Sequence, residues 1–217
     1  MSKYHKINTI FKRDLDAPTR IKPLILGEWS CPEFAYLSDN DWVFTEKVDG
    51  TNIRIMFGDA DSGGAVTFGG KTDNALIPAK LMNRLNDRAS GWGPSVGLAP
   101  EGLILYGEGY GAGIQKGGGN YRQDQDFVLF DVRAGHWWLK RADVTAVAKV
   151  LGLSTVPSIG IGTLHEAVAI ARIGFSSAWG EFNAEGIVAR PAVELKARSG
   201  ERIICKIKTR DFAKEVS

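Results

Sequence analysis

Cysteine and histidine are scarce: Cys31, Cys205 and three histidines are all that the 217 residues hold. The two cysteines form no C-x-x-C pair, and no Cys/His group has zinc-site spacing, so neither a disulfide framework nor a zinc module is indicated. Two thiols without such a framework fit a reducing, cytoplasmic setting. Long apolar runs are missing as well. Met1 to Thr9 is polar and carries Lys3, His5 and Lys6 with no apolar stretch behind it. That pattern argues against a signal peptide or membrane anchor and for a soluble protein. No charge of one sign prevails either: 27 Lys and Arg against 25 Asp and Glu leave a formal net charge of +2. Bulk charge therefore announces no nucleic-acid partner, because phosphate binding depends on where the cations lie. Internal repeats, low-complexity tracts and long flexible linkers are also absent, so residues 1–217 read as a single domain able to bury a substantial core.

What the sequence does hold is sheet. Alternating Ile53, Ile55 and Phe57 predict a strand, as do the short apolar runs Leu103 to Tyr106, Phe127 to Val132, Ile187 to Ala189 and Ile203 to Ile207. Helices are expected over Pro78 to Leu85 and Ala142 to Leu151. Thr163 with Glu166 forms a capping box that opens a third helix, which Gly174 can close. Breaks are expected at the glycine-rich stretches Asp59 to Gly64, Gly107 to Gly119 and Ser158 to Gly162. Arg198-Ser199-Gly200-Glu201 reads as a tight turn between a strand beginning near Val193 and the strand carrying Lys206 and Lys208. The fold class is α+β, with mainly antiparallel sheets flanked by helices.

The sharpest local pattern is Glu46-Lys47-Val48-Asp49-Gly50-Thr51-Asn52, placed where one strand ends and another begins. A lysine attacks phosphorus only as a neutral amine, so a nucleophilic Lys47 calls for burial or for neighbouring cations that favour loss of its proton. Lys206-Ile207-Lys208 supplies such cations late in the chain, both lysines on one face of a strand because side chains alternate. Taken singly, each of these lysines reads as ordinary surface charge. The ordered set is more specific: Lys47-Val48-Asp49-Gly50, Tyr106-Gly107-Glu108-Gly109, Leu129-Phe130-Asp131-Val132, Glu185-Gly186-Ile187-Val188 and Lys206-Ile207-Lys208.

This ordered set resembles the covalent nucleotidyltransferase superfamily of ATP-dependent DNA ligases, RNA ligases and mRNA capping enzymes, over most of the chain. The resemblance implies an adenylation domain in which Lys47 becomes linked to AMP, with ATP and Mg²⁺ or Mn²⁺ as cofactors. It also implies that Glu46 lies beside the base with its backbone available to read the adenine edge, that Glu108 contacts the ribose and that Phe130 stacks on the base. Glu185 would lie near the phosphate and hold the metal, and Lys206 and Lys208 would bind the triphosphate. Asp49, Gly50 and Asn52 complete the nucleotide contacts.

Within the superfamily, Asn52 five residues after Lys47 is similar to the RNA ligases that seal nicks in duplex RNA, where DNA ligases usually carry arginine. Gly69-Gly70-Lys71-Thr72-Asp73-Asn74 resembles the basic element that follows the lysine motif in those enzymes, although Lys71 cannot make the bidentate phosphate contact of an arginine. Nine residues follow Lys208, so no C-terminal oligonucleotide-binding (OB) domain is expected, and a separate RNA-binding partner is one way the enzyme could be completed. The expected function is ATP-dependent joining of RNA 3′-hydroxyl and 5′-phosphate ends. The alternatives are a capping-type guanylyltransferase, a minimal DNA ligase and a non-catalytic nucleotide- or RNA-binding module.

Overall fold

The structure is a computed structural model, which describes residues 3–58, 65–92 and 102–212. The predicted break at Asp59 to Gly64 lies outside the described residues. In chain order the elements begin with β1 (Asn8–Thr9), β2 (Phe11–Arg13), β3 (Leu24–Trp29), α1 (Pro32–Tyr36), β4 (Trp42–Glu46), β5 (Thr51–Phe57) and β6 (Val66–Gly69). There follow α2 (Ala79–Ser90), β7 (Leu103–Gly111), α3 (Gly118–Tyr121), β8 (Gln125–Ala134), β9 (Trp137–Trp138) and α4 (Arg141–Val150). The chain continues through β10 (Ser154–Thr155), β11 (Ser158–Gly162), α5 (Leu164–Ile173), β12 (Gly186–Pro191) and β13 (Cys205–Lys208). Among the described residues no helix is long and apolar enough to cross a membrane.

Two compact units divide these elements. The first comprises Asp49–Val156 with Tyr4, and the second comprises His5–Val48 with the chain from Pro157 onward. In the first, the sheet runs β10-β8-β7-β5-β6 with β9 on β8, all antiparallel except β10 beside β8. Ile53, Ile55 and Phe57 turn to one face and join Leu81 and Leu85 of α2 and Val144 and Ala148 of α4 in a buried core. Burial of each such side chain contributes about 2 kcal/mol. Phe127, Leu129 and Val132 of β8 all reach this core, spaced by two residues and then three. A bulge explains the change of phase: Tyr106 faces Asp131 while Gly107 faces Leu129, which leaves Phe130 as the extra residue.

The second unit is built on the sheet β1-β13-β12-β4-β11, with β2 and β3 as a separate pair. Trp42 and Phe44 of β4, Ile187 and Ala189 of β12, and Cys205 and Ile207 of β13 pack against Leu164, Ala167 and Ala171 of α5. Burial pushes the Cys205 thiol up from its ordinary value. The capping box forms as expected: Thr163 Oγ1 accepts from the Glu166 N–H at 3.2 Å, and Glu166 accepts from the Thr163 N–H at 2.7 Å. Gly174, at φ 83°, closes the helix.

Several expectations change. Gly107 to Gly111 do not break the chain but lie inside β7, where ladders to β5 and β8 on both sides outweigh glycine's weak strand preference. Ser158 to Gly162 likewise form β11, held along β4. The second predicted helix position, α2, continues past Leu85 to Ser90. No strand begins near Val193: β12 stops at Pro191, and only an isolated bridge joins Lys196 to Arg202 beyond it. The turn itself is present, with the Gly200 N–H donating to the Ala197 carbonyl at 2.8 Å. β13 takes its support from β12 and from a parallel pairing with β1.

Candidate active site

Lys47 lies one residue beyond β4, the strand flanked by β12 and β11, and its own N–H donates to the Gly186 carbonyl at 2.9 Å. Its Nζ lies 2.6 Å from Glu185 Oε2, and Lys208 Nζ lies 2.7 Å from Glu185 Oε1. One carboxylate thus joins the two amines, and all three side chains are largely buried. Glu185 owes its position to Gly186, whose φ of 151° and whose approach to Ile207 exclude a side chain: a Cβ would stand 2.1 Å from the Ile207 carbonyl oxygen. Lys206 and Lys208 alternate with buried Cys205 and Ile207, so both lysines share the face of β13 turned away from the core, as the period-two argument requires. The sequence led to the expectation of cations around Lys47. The structure places a carboxylate directly on its amine, with Lys208 on the carboxylate's other oxygen.

Glu46 is almost fully buried. Its carboxylate accepts from Ser177 Oγ at 2.6 Å and from the Ala178 N–H at 2.9 Å, while its own N–H donates to the Pro157 carbonyl at 2.9 Å. The N–H that was expected at an adenine edge is therefore committed within the second unit. Its carboxylate fixes the turn containing Ser177, a role no local sequence signal announced because the partners lie 131 residues apart.

The remaining predicted residues belong to the first unit. Asn52 of β5 and Glu108 of β7 are direct cross-strand partners, so their side chains emerge side by side. Asn52 Oδ1 is buried and has no hydrogen-bond partner among the described residues. Glu108 faces Val128 on β8, two residues before Phe130, which puts Asn52, Glu108 and Phe130 on the sheet face opposite the core. Phe130 is half-buried and meets the Tyr4 ring edge-on at 5.0 Å; Tyr4 Oη donates to Asp131 Oδ2 at 2.7 Å.

The Asp49 N–H donates to Tyr121 Oη at 3.2 Å, and Gln115 Nε2 donates to the Gly50 carbonyl at 2.9 Å. A side chain at Gly50 would strike the Gly109 carbonyl. Lys71 is exposed on the turn after β6. That turn is pinned from below by Arg54, fully buried, whose Nε donates to the Gly70 carbonyl at 2.8 Å and whose Nη2 pairs with Asp73 at 2.9 Å. The Arg54 guanidinium holds the Asp73 carboxyl below the usual carboxylate range. Sequence reading missed Arg54, since alternation with Ile53 and Ile55 assigns it to the polar face without indicating that a turn covers it.

Among the described residues no group of three His, Cys, Asp or Glu side chains could hold a metal by itself. A carboxylate beside bound phosphates is nonetheless a sufficient protein ligand for Mg²⁺ or Mn²⁺, ions that keep several waters and phosphate oxygens in their shell. Glu185 has that chemistry.

The description RNA ligase belongs to the family model that matches residues 40–208. Among curated proteins none matches the chain. Solved structures do: an RNA ligase of Naegleria gruberi with pyrophosphate, at a TM-score of 0.64 and 18% identity over 83% of this chain. A variant of that ligase with AMP and manganese matches equally well, and another variant with ATP and manganese matches at a TM-score of 0.62 and 19% identity over 82% of this chain. At such identities the likeness shows the fold, an α+β nucleotidyltransferase arrangement with antiparallel sheets. The chain spans about half the length of these structures, 52% to 53%.

Proposed function

Since the chain belongs to the RNA ligase family, we propose that it joins RNA 3′-hydroxyl and 5′-phosphate ends with ATP, through a lysyl-AMP intermediate on Lys47. The observation that carries this reading is the Lys47–Glu185–Lys208 cluster, a nucleophile candidate and a cation joined through one carboxylate at the ends of neighbouring strands.

The chemistry has three steps. Lys47 Nζ, having lost a proton, attacks the α-phosphorus of ATP; a P–N bond forms and the P–O bond to pyrophosphate breaks. An oxygen of the RNA 5′-phosphate then attacks the same phosphorus, the P–N bond breaks and Lys47 regains its amine. Finally the 3′-hydroxyl attacks the activated 5′-phosphate, its proton is lost, and AMP leaves as the phosphodiester forms. Lys206 and Lys208 neutralise the triphosphate in the first step. A divalent cation held by Glu185 and phosphate oxygens would offset charge on the transferring group.

The nucleoside would rest on the sheet face of the first unit. The orphaned Asn52 Oδ1 fits a ribose hydroxyl donor, Glu108 beside it accepts a second, and Phe130 offers an aromatic surface for the base. Lys71 and the Asp49-Gly50 backbone supply further phosphate contacts. The neighbours with ATP or AMP and manganese agree in ligand class. Nicked duplex RNA is the proposed substrate and the cytoplasm the proposed setting.

Phe130→Ala is expected to weaken ATP binding by about 1–3 kcal/mol, as loss of base–aromatic stacking does. Unchanged affinity with a large fall in melting temperature would instead make Phe130 a packing partner of Tyr4. The functional reading as a whole is tested by incubating the protein and a nicked RNA duplex with ATP or with GTP. Sealing with ATP alone is expected. Transfer of GMP to a 5′ end would make the protein a guanylyltransferase, and no covalent transfer with either nucleotide would make it a binding module.

A further inference from the structure

The first unit also carries a cavity of about 500 Å³ formed by α2, the turn after β7 and the start of β8, and none of its lining residues belongs to the nucleotide set above. Lys80, Arg84, Gln123 and Gln125 line it. Its charges are arranged around Asp126, nearly fully buried, which receives Arg88 Nη2 at 2.6 Å, Arg122 Nη1 at 2.5 Å and Arg84 Nη2 at 3.4 Å. Burial alone would raise the Asp126 carboxyl, but the hydrogen bonds from Arg88, the Phe127 N–H and Arg84 outweigh it and hold the group below the usual carboxylate range. Arg122 also engages Asp124. Both aspartates are therefore satisfied by arginine.

Two polar atoms in the cavity wall are not satisfied. Gln125 is more than nine-tenths buried and its Oε1 has no partner among the described residues, while its Nε2 donates to the Ala112 carbonyl at 2.9 Å. That bond fixes which way the amide points. Arg84 Nε, a donor, is likewise buried without a partner there. A buried acceptor left unmet costs about 1–3 kcal/mol, so a ligand that supplies a donor recovers that loss. Lys80, exposed on α2, adds a mobile cation at the rim. An acceptor for a hydroxyl beside two cationic donors matches a sugar hydroxyl next to a phosphate.

We propose that this cavity binds one ribose-phosphate unit of the RNA substrate, Lys80 and Arg84 taking the phosphate and Gln125 Oε1 accepting from the 2′-hydroxyl. The inference rests on the RNA-joining reading above and adds a contact to RNA remote in sequence from the Lys47 motif. Because DNA lacks the 2′-hydroxyl, Gln125 contributes to the choice of RNA over DNA, whereas Lys80 does not.

The test is fluorescence anisotropy of the full chain with labelled nicked RNA and DNA duplexes of one sequence, beside lysyl-AMP formation measured without nucleic acid. Lys80→Ala should weaken RNA and DNA binding alike, about three- to tenfold, and reduce the slope of log affinity against log salt by about 1. Gln125→Met should weaken RNA binding about fivefold, the loss of one buried hydrogen bond, and leave DNA binding within about twofold. Both variants should keep the wild-type yield of lysyl-AMP. Unchanged RNA affinity in Lys80→Ala overturns the proposal, and so does equal loss of RNA and DNA binding in a folded Gln125→Met. If the wild type forms no lysyl-AMP yet the two variants show this binding pattern, the ligase reading fails and the cavity stands.

Discussion

Replacing Lys47 by alanine is expected to remove covalent attachment of AMP altogether while leaving the protein folded. The side chain stands at the end of β4, and what anchors the residue is its backbone N–H on the Gly186 carbonyl, which alanine keeps. Glu185 loses one amine but retains Lys208 at 2.7 Å, so no carboxylate is stranded. The cost in stability should be about 1 kcal/mol or less, in the range of ion pairs with some access to solvent. Lys47→Arg should be as inactive as alanine, because a guanidinium stays protonated and presents no lone pair to phosphorus. The measurement is labelled ATP followed by denaturing gel, with a thermal melt alongside. A variant that still carries ATP-derived label would remove Lys47 from the mechanism.

The two lysines of β13 should act mainly before the adduct exists. Lys208→Ala and Lys206→Ala are each expected to cut lysyl-AMP formation roughly a hundredfold, the usual scale for removing a group that stabilises charge on a transferring phosphoryl. Lys208 should matter more. It shares Glu185 with Lys47, and without it the carboxylate is left to hold the Lys47 ammonium alone. Once a nick is chemically pre-adenylylated, no triphosphate remains to be neutralised, and both variants should seal it far better than they seal an ordinary 5′-phosphate with ATP. Equal loss on the two substrates would contradict a first-step role. In the same assay a nick flanked by ribose should be preferred to an all-DNA nick if Asn52 has been read correctly, and efficient sealing of DNA alone would move the enzyme to the DNA-ligase branch.

How much of this was legible in the sequence depended on how local the signal was. The strand of Ile53, Ile55 and Phe57, the capping box of Thr163 and Glu166, and the facing lysines of β13 follow from periodicity and short-range hydrogen bonding, and the structure contains them. Two-residue strands such as β1 and β10 carry no period to read, so the parallel pairings they make were invisible. Buried polar partners were equally hidden. Nothing near Glu46 indicates Ser177, nothing near Arg54 indicates that Asp73 and Gly70 will cover it, and nothing near Gln125 indicates the three arginines on Asp126. The bulge that frees Phe130 from the β8 alternation also had no local cue, since it arises from a register change against β7. The Lys47 motif could be recognised from residue order, but its ion pair with Glu185 joins positions 138 residues apart and needed the folded sheet.

The most direct test of the account is mass spectrometry of the intact protein after ATP and Mg²⁺, followed by mapping of the modified peptide. The account predicts a gain of one adenylate per chain, located on Lys47, reversed by added pyrophosphate and absent when GTP replaces ATP. No adduct, or an adenylate mapped to any other residue, would contradict it.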